Sequence, residues 1–247
     1  MTFQQELRAN LSAPLDIRVF DSLPSTNTIL KTWARDGASH GALVLAHAQS
    51  AGRGRFTRSF FSPVGGLYLS LYIKKESIKP GQLITLAAVS VLQALKALTG
   101  QTLSIKWVND VLLDNKKAGG ILSEGILQGN KLAGAVVGIG LNTHDVPFPP
   151  DLIHQATHIK GFHEPAARAK LAAAIVNTIL AGIEQMPAHL ADYRLNCVTL
   201  NKEVSFELNG AIKTGLAFDV DEEGALLVQT PEGPLRLLSG DVSLKKD

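Results

Sequence analysis

The sequence predicts an α+β fold: a mixed, largely antiparallel sheet with long helices, followed by a small all-β domain. Three observations carry this expectation. Gln82 to Leu98 is apolar almost all round, as a buried core helix is, and Ala166 to Ile183 reads as a second long helix. Between them lie short apolar runs, with turns at Asp114-Asn115 and Gly129-Asn130 that make antiparallel neighbours of the runs they join. Beyond Arg194 the composition changes to short strands and tight turns, so the expected division is 1–194 and 195–247.

Taken in order, DIRVFDSL is a short strand, and Ser25-Thr26-Asn27 offers capping side chains to a helix through Ile29, Leu30 and Trp33 that ends near Gly37. GALVLAHA is a buried strand leading into a glycine- and arginine-rich loop. LYLSLYI alternates, with Leu67, Leu69, Leu71 and Ile73 on one face and Tyr68, Ser70 and Tyr72 on the other, which predicts a half-buried strand. After the first long helix Leu103, Ile105 and Trp107 alternate with Ser104 and Lys106, and three strands follow: VLL, KAGGILSEGIL and LAGAVVGIGL. Residues 143–164, rich in Pro, His and Asp, read as an irregular loop. In the C-terminal part, Asn209-Gly210 between VSFEL and AIKTGLAFDV signals a type I′ hairpin.

Composition narrows the function. The chain has 247 residues, 45% of them hydrophobic, enough for one large domain with a small appendage. Its 24 Lys+Arg against 22 Asp+Glu leave a net charge of +2, which argues against a protein whose main business is coating nucleic acid. Cys197 is the single cysteine, so an internal disulfide and a Cys-rich zinc site are excluded, and it reads as a small apolar residue. The N-terminal stretch has no apolar h-region and no apolar run reaches transmembrane length, so a soluble, cytoplasmic protein is expected.

Three segments are candidates for chemistry. The usual phosphate-binding patterns G-x-x-x-x-G-K-[ST] and strand-linked G-x-G-x-x-G are absent from the sequence. In AGRGRFTR, the glycines let backbone N–H groups approach an anion, and arginine supplies a planar, permanently charged fork for phosphate or carboxylate. Taken alone it could be a solvated basic loop. KWVND and DNKKAGGIL place Lys106, Asn109 and Asp110 near a turn, with Lys117 just ahead of Gly119 and Gly120, where a ligand could lie against the backbone. Taken alone, that is an ordinary hairpin. In GIGLNT, Asn142 follows Gly138 and Gly140 and either orients a ligand or makes a turn.

Together, and in this order, the segments resemble the biotin protein ligase family of the biotin/lipoyl ligase superfamily. Its S-T-N, G-R-G-R-x-x-R with S-P-x-G, K-W-P-N-D, K-x-x-G-I-L and G-[IA]-G-[IL]-N motifs stand here as Ser25 to Asn27, Gly52 to Arg58 with Ser62-Pro63 and Gly65, Lys106 to Asp110, Lys117 to Leu122, and Gly138 to Asn142. The resemblance spans nearly the whole chain. It implies a class II synthetase-like catalytic fold with a small SH3-like C-terminal β-barrel. The reaction it implies joins biotin to ATP as biotinyl-5′-adenylate, then passes biotin to a lysine of a biotin carboxyl carrier domain.

By the same resemblance Ser25, Thr26, Asn27, Gln49, Gly52, Gly119 and Gly120 belong to the biotin site, with Arg53 closing over it. Arg55 and Arg58 contact phosphate and carboxylate, and Lys117 lies between biotin carboxylate and α-phosphate. Lys106, Trp107, Asn109, Asp110 and Asn142 fall on the nucleotide side, with Asp110 near the phosphates. Asp241 and Lys245 match charged C-terminal residues that approach the site. ATP and biotin are the implied substrates, with Mg2+ arriving on ATP.

Several departures stand out. Val108 replaces the proline of K-W-P-N-D, which relaxes the backbone there. Phe60 stands where tryptophan is common, and residues 143–160 lack the tryptophan that often caps adenine, leaving Phe148 or a histidine as substitutes. Ser25 lies too near the start for a preceding helix-turn-helix, so ligation without DNA binding is expected. A homodimer is open, and no membrane is implied. A lipoate ligase and a non-catalytic biotin sensor are the competing readings. The G-R-G-R-x-x-R with S-P-x-G signature speaks against the first, and the arginine and lysine set against the second. His154, His158 and His163 do not keep a helical ligand spacing, so no dedicated metal site is expected. Trp33 and Trp107 read as core, and Lys245-Lys246 as a solvated tail.

Overall fold

The computed structural model describes residues 1–56, 58–238, 240 and 242–244; the expectations placed on Asp241, Lys245 and Lys246 lie outside them. Helix α1 (Phe3–Asn10) starts at a capping box in which Gln5 N–H donates to Thr2 Oγ1 and Thr2 N–H to Gln5 Oε1. A sheet of seven strands follows in the order β1-β2-β3-β7-β6-β5-β4, built from β1 (Ile17–Leu23), β2 (Leu43–Gln49), β3 (Leu67–Ile73), β4 (Ser104–Lys106), β5 (Asp110–Leu113), β6 (Lys116–Gln128) and β7 (Lys131–Leu141). Among the described strands of this sheet only β1 and β2 run parallel; every other pair is antiparallel.

Side chains alternate across this sheet and divide the core in two. On one face Leu45, Leu69, Leu71, Val137 and Ile139 pack with α3 (Pro80–Thr99) and α4 (Pro165–Ile183). On the other, Val44, Ala46, Tyr72 and Val136 pack with Leu30 and Ala34 of α2 (Thr26–Arg35). Strand β3 is therefore buried on both faces rather than one. Its polar residues are absorbed by partners: Tyr68 Oη donates to Pro63 O, and Ser70 meets Thr26 and Asn27.

Helix α3 begins with Pro80 at its first turn, which needs no N–H donor, and ends at Gly100 in the left-handed region with φ 71°. Both α3 and α4 are long and apolar enough to span a membrane, yet here they pack together on the sheet.

The KWVND stretch differs from its expectation. The strand stops at Lys106, the Trp107–Val108 peptide is cis, and Val108 is buried. The turn is held from the C-terminal side: Trp107 N–H donates to Thr199 Oγ1, Trp107 Nε1 to Gly224 O, and Tyr193 Oη to Val108 O. Tyr193 comes from α5 (Leu190–Asn196), a short helix that runs through the expected 194/195 boundary.

The second sheet starts at Lys202. It is antiparallel, with strands β8 (Lys202–Leu208), β9 (Ala211–Val220), β10 (Leu226–Thr230), β11 (Gly233–Leu237) and β12 (Val242–Leu244) in the order β11-β10-β9-β8-β12. Asn209 and Gly210, at φ 53° and 78°, make the β8–β9 turn that the sequence signals. Among the described residues its end strands β11 and β12 share no ladder, so what is seen is a five-stranded sheet.

Candidate active site

A cleft opens where the N-terminus of α2, the arginine loop, the 106–110 turn and strands β6 and β7 meet. Its floor is made by missing side chains. A Cβ on Gly138 would lie 2.1 Å from Asn27 Oδ1, and one on Gly140 would lie 2.6 Å from the Phe60 ring. These two glycines let Asn27 and Phe60 lie directly on the sheet.

One part of the cleft is a hydrogen-bonded polar group. Gln49 Oε1 accepts from the Thr26 backbone N–H at 2.8 Å and lies 3.2 Å from Thr26 Oγ1, while Gln49 Nε2 donates to Ser62 Oγ at 3.0 Å. Ser25 is the N-cap residue of α2, but its side chain makes no capping bond, contrary to expectation; Gln49 takes the helix-end donor instead. The Ser25 hydroxyl is thus left to the cleft that it lines.

The remainder is charged. Five cations line the cleft, Arg53, Arg55, Arg58, Lys106 and Lys117, against one carboxylate among the described lining residues, Asp110. The arginine loop is a tight reversal: Gly54 N–H donates to Arg58 O at 2.7 Å, Phe60 N–H to Gly52 O, and Arg53 bridges Ser59. Arg55 Nη1 reaches Asn109 Oδ1 at 3.3 Å and Arg55 Nη2 reaches Gly240 O at 3.5 Å. Lys117 Nζ lies 2.6 Å from Asp110 Oδ1, both side chains partly open to solvent.

Of the sequence-predicted residues, Ser25, Thr26, Asn27, Gln49, Arg53, Arg55, Arg58, Lys106, Trp107, Asn109, Asp110, Lys117 and Gly120 all line this cleft. Gly52, Gly119 and Asn142 do not. A Cβ on Gly119 would meet Leu141 and Gly140 O, so its bare face packs on β7, and Gly52 makes room for Phe60 O and Ser62 Oγ. Asn142 is buried and donates to Lys117 O and Thr157 O, tying the 143–164 loop to the first residues of β6. Trp107 lines the cleft from a core position.

Phe148, expected with a histidine as a substitute for the missing tryptophan, stacks on His158 with centroids 4.3 Å apart, and neither is among the described lining residues. His158 Nε2 meets Val146 O, and His163 pairs with Asp145 at 2.6 Å. Among the described residues no group of three or more His, Cys, Asp or Glu gathers as a metal site. A magnesium ion carried on nucleotide phosphates fits this donor set, since such an ion needs only one or two carboxylates, and Asp110 lines the cleft.

One residue was missed from sequence. Glu124, on β6, accepts from Lys31 Nζ at 2.6 Å, Asn27 Nδ2 at 3.0 Å and Arg53 Nη1 at 3.2 Å. Burial would raise its pKa, but the hydrogen bonds from Lys31 and Asn27, with the charges of Lys31 and Arg53, hold it below the ordinary carboxylate value.

The pattern of the biotin/lipoate A/B protein ligase family matches residues 19–142, and that of the biotin protein ligase C-terminal domain matches residues 199–245. The chain belongs to this family of ligases. It is 33% identical over 240 residues to the bifunctional ligase/repressor BirA of Bacillus subtilis, covering 91% of this chain and 72% of that one. It is 30% identical over 231 residues to the biotin–[acetyl-CoA-carboxylase] ligase of Mycobacterium tuberculosis, covering 88% and 85%. Among solved structures, the biotin protein ligase of Aquifex aeolicus in complex with biotin and ATP superposes with a TM-score of 0.77 at 29% identity, over 94% of this chain and 99% of that one.

Proposed function

We propose that this cleft activates biotin with ATP and transfers the biotinyl group to a lysine of a biotin carboxyl carrier domain. The observation that carries the reading is the convergence of Arg53, Arg55, Arg58 and Lys117 with the Ser25, Thr26, Asn27 and Gln49 group in one cleft. In the first step a biotin carboxylate oxygen attacks the α-phosphorus and pyrophosphate leaves. In the second the carrier amine attacks the acyl carbon and AMP leaves, with the amine proton lost to solvent.

Both steps load negative charge on phosphate oxygens, so fixed cations positioned beforehand supply much of the catalysis. In this reading Lys117 sits between the carboxylate and the α-phosphate, and Arg55 and Arg58 meet the phosphates. Arg53 closes over the acid. The uncharged donors and acceptors of Ser25, Thr26 and Gln49 face the ureido head, where an analogue that leaves them unpaired is rejected. Asp110 holds Lys117 in place until substrate arrives, 2.6 Å away. Asn109 orients Arg55 from its 3.3 Å contact.

The same proposal places the protein in the cytoplasm, with no membrane or DNA partner. Among the described residues strand β1 is bonded only to β2, and its outer edge is where we propose a second copy pairs, which sedimentation would measure.

Lys117→Ala tests the reading. The Lys117–Asp110 pair is 39% and 26% exposed, and pairs so placed contribute about 0–1 kcal/mol to stability, so the fold survives. Biotin-dependent pyrophosphate exchange should fall by about 10²–10³, the range for loss of one transition-state donor. An unchanged exchange rate in the folded variant would refute the role of Lys117. Mass spectrometry of a carrier domain incubated with ATP and either acid settles the substrate: lipoyl transfer without biotinyl transfer would overturn the choice of biotin.

A further inference from the structure

We infer that Glu124 is a positioning residue that holds Asn27 in the cleft floor and latches Arg53 of the arginine loop. The inference rests on the ligase reading for its kinetic consequence, but the latch itself is a property of the chain alone. Glu124 lies outside the residues that line the cleft, yet its carboxylate joins three elements: β6, α2 and the loop. Its side chain is 18% exposed, and both oxygens are engaged: Oε1 with Lys31 and Arg53, Oε2 with Asn27 and Arg53.

The chemistry of each contact is different. Asn27 has its amide orientation decided from both ends, with Ser70 Oγ at 2.6 Å from Oδ1 and Nδ2 donating to Glu124 at 3.0 Å and to Leu122 O at 3.3 Å. A carboxylate can only accept, so it selects the Nδ2 end and leaves the carbonyl toward Ser70. Lys31, one helical turn after Asn27, pairs with Glu124 Oε1 at 2.6 Å. Arg53 is the partner that can leave. Its side chain is 46% exposed and its contacts are the longer ones, at 3.2 and 3.3 Å. A substrate anion entering the cleft competes with Glu124 for this guanidinium, so the residue that orients Asn27 also sets the resting place of the loop.

The test uses the full chain, folded, with and without substrates. Glu124→Gln removes the charge and keeps the shape; Glu124→Asp keeps the charge for Lys31 but withdraws it from Arg53. Without any ligand, both variants should be cut by trypsin within 53–58 about five-fold faster than the parent, the factor for a surface pair worth about 1 kcal/mol. Lys31→Met removes the other cation and should leave that cleavage at the parent rate. In pyrophosphate exchange, Glu124→Met, which offers Asn27 Nδ2 no oxygen, should raise the KM for biotin about ten-fold or more while kcat changes less than KM, because Asn27 is misplaced in the ground state and transition state alike. Parent-like cleavage in both Glu124→Gln and Glu124→Asp overturns the latch, and an unchanged KM in Glu124→Met overturns the positioning of Asn27. The cleavage assay needs no activity, so absence of biotin-dependent exchange in the parent protein would sink the ligase reading and leave the latch judged on its own result.

Discussion

Gly138→Ala is the substitution for which the structure makes the most quantitative demand. Gly138 has an ordinary backbone conformation, so alanine is not strained by its φ, and the whole cost comes from contact. The added Cβ would stand 2.1 Å from Asn27 Oδ1 and 2.8 Å from its Cγ. The strand cannot yield, because Gly138 is paired with Ser70 of β3 on one side and Leu122 of β6 on the other. Asn27 must therefore swing away from Ser70 at 2.6 Å, Leu122 O at 3.3 Å and Glu124 at 3.0 Å. Two neutral hydrogen bonds at about 0.5–1.5 kcal/mol each, and one to a charged group at about 1.5–3, make a gross loss of about 2.5–6 kcal/mol. Alanine in a strand recovers about 0.5–1 kcal/mol over glycine, leaving a net loss of about 1.5–5.5 kcal/mol. Urea unfolding measures it, read against Asn27→Ala and the double variant. With Asn27 truncated the alanine fits, so the two changes should couple by more than 1 kcal/mol. Additive effects in that cycle, or an unchanged urea midpoint for Gly138→Ala, would refute the argument that glycine is what seats Asn27.

Two further predictions follow from buried groups. Trp107→Phe removes the donor to Gly224 O at 2.9 Å and should cost about 1–3 kcal/mol in urea unfolding, because a buried carbonyl is left without its partner. His144 is 1% exposed, and burial first, then the neighbouring His158, push its pKa down to about 4. It is neutral in the folded state while the unfolded side chain takes up a proton below about 6.5, so stability is lost as pH falls through that window. At pH 5 the loss from this residue is about 2 kcal/mol; His144→Phe should flatten the fall in unfolding free energy between pH 7 and 5, and an unaltered slope would remove His144 from the account.

Much of the site was legible because its chemistry is local in sequence. Arg53, Arg55 and Arg58 share one loop, and Lys117 stands at the start of a strand whose Gly120 leaves the floor open. What escaped was mostly long-range. Glu124 sits in a strand where a lone carboxylate looks like a solvent-facing residue, and its partners lie 71 to 97 positions away. The one sequence hint was that Asn27 and Lys31 share a helix face. Tyr68, Ser70 and Tyr72 read as a wet face because polar atoms count as polar in any alternation pattern. In the fold each is covered by α2 or by the loop it bonds. Helix α1 had a visible signal in Thr2 and Gln5, spaced as a capping box, whereas α5 spans 7 residues, too few to show a helical period. Asn142 followed a strand as a turn residue does, and only the packing of the 143–164 loop shows that its amide is consumed by carbonyls.

Five cations around one cleft would repel one another unless each had a resting partner, and the partners found are of a particular kind. Arg53 rests on Glu124, Lys117 on Asp110, and Arg55 on Asn109 and a backbone carbonyl. The two ion pairs leave Arg53 46% and Lys117 39% exposed, where water competes and an exposed pair is worth about 0–1 kcal/mol. Exchanging such a partner for a phosphate or carboxylate therefore costs little, while the entropy of placing the cation has already been spent in folding. The groups that resist exchange are the uncharged ones, Gln49, Thr26 and Asn27, whose bonds to Ser62, Ser70 and the chain are made inside the protein. Rigid neutral donors beside loosely tethered charges suit a reaction in which the acid must be recognised first and the anionic charge stabilised only as it develops.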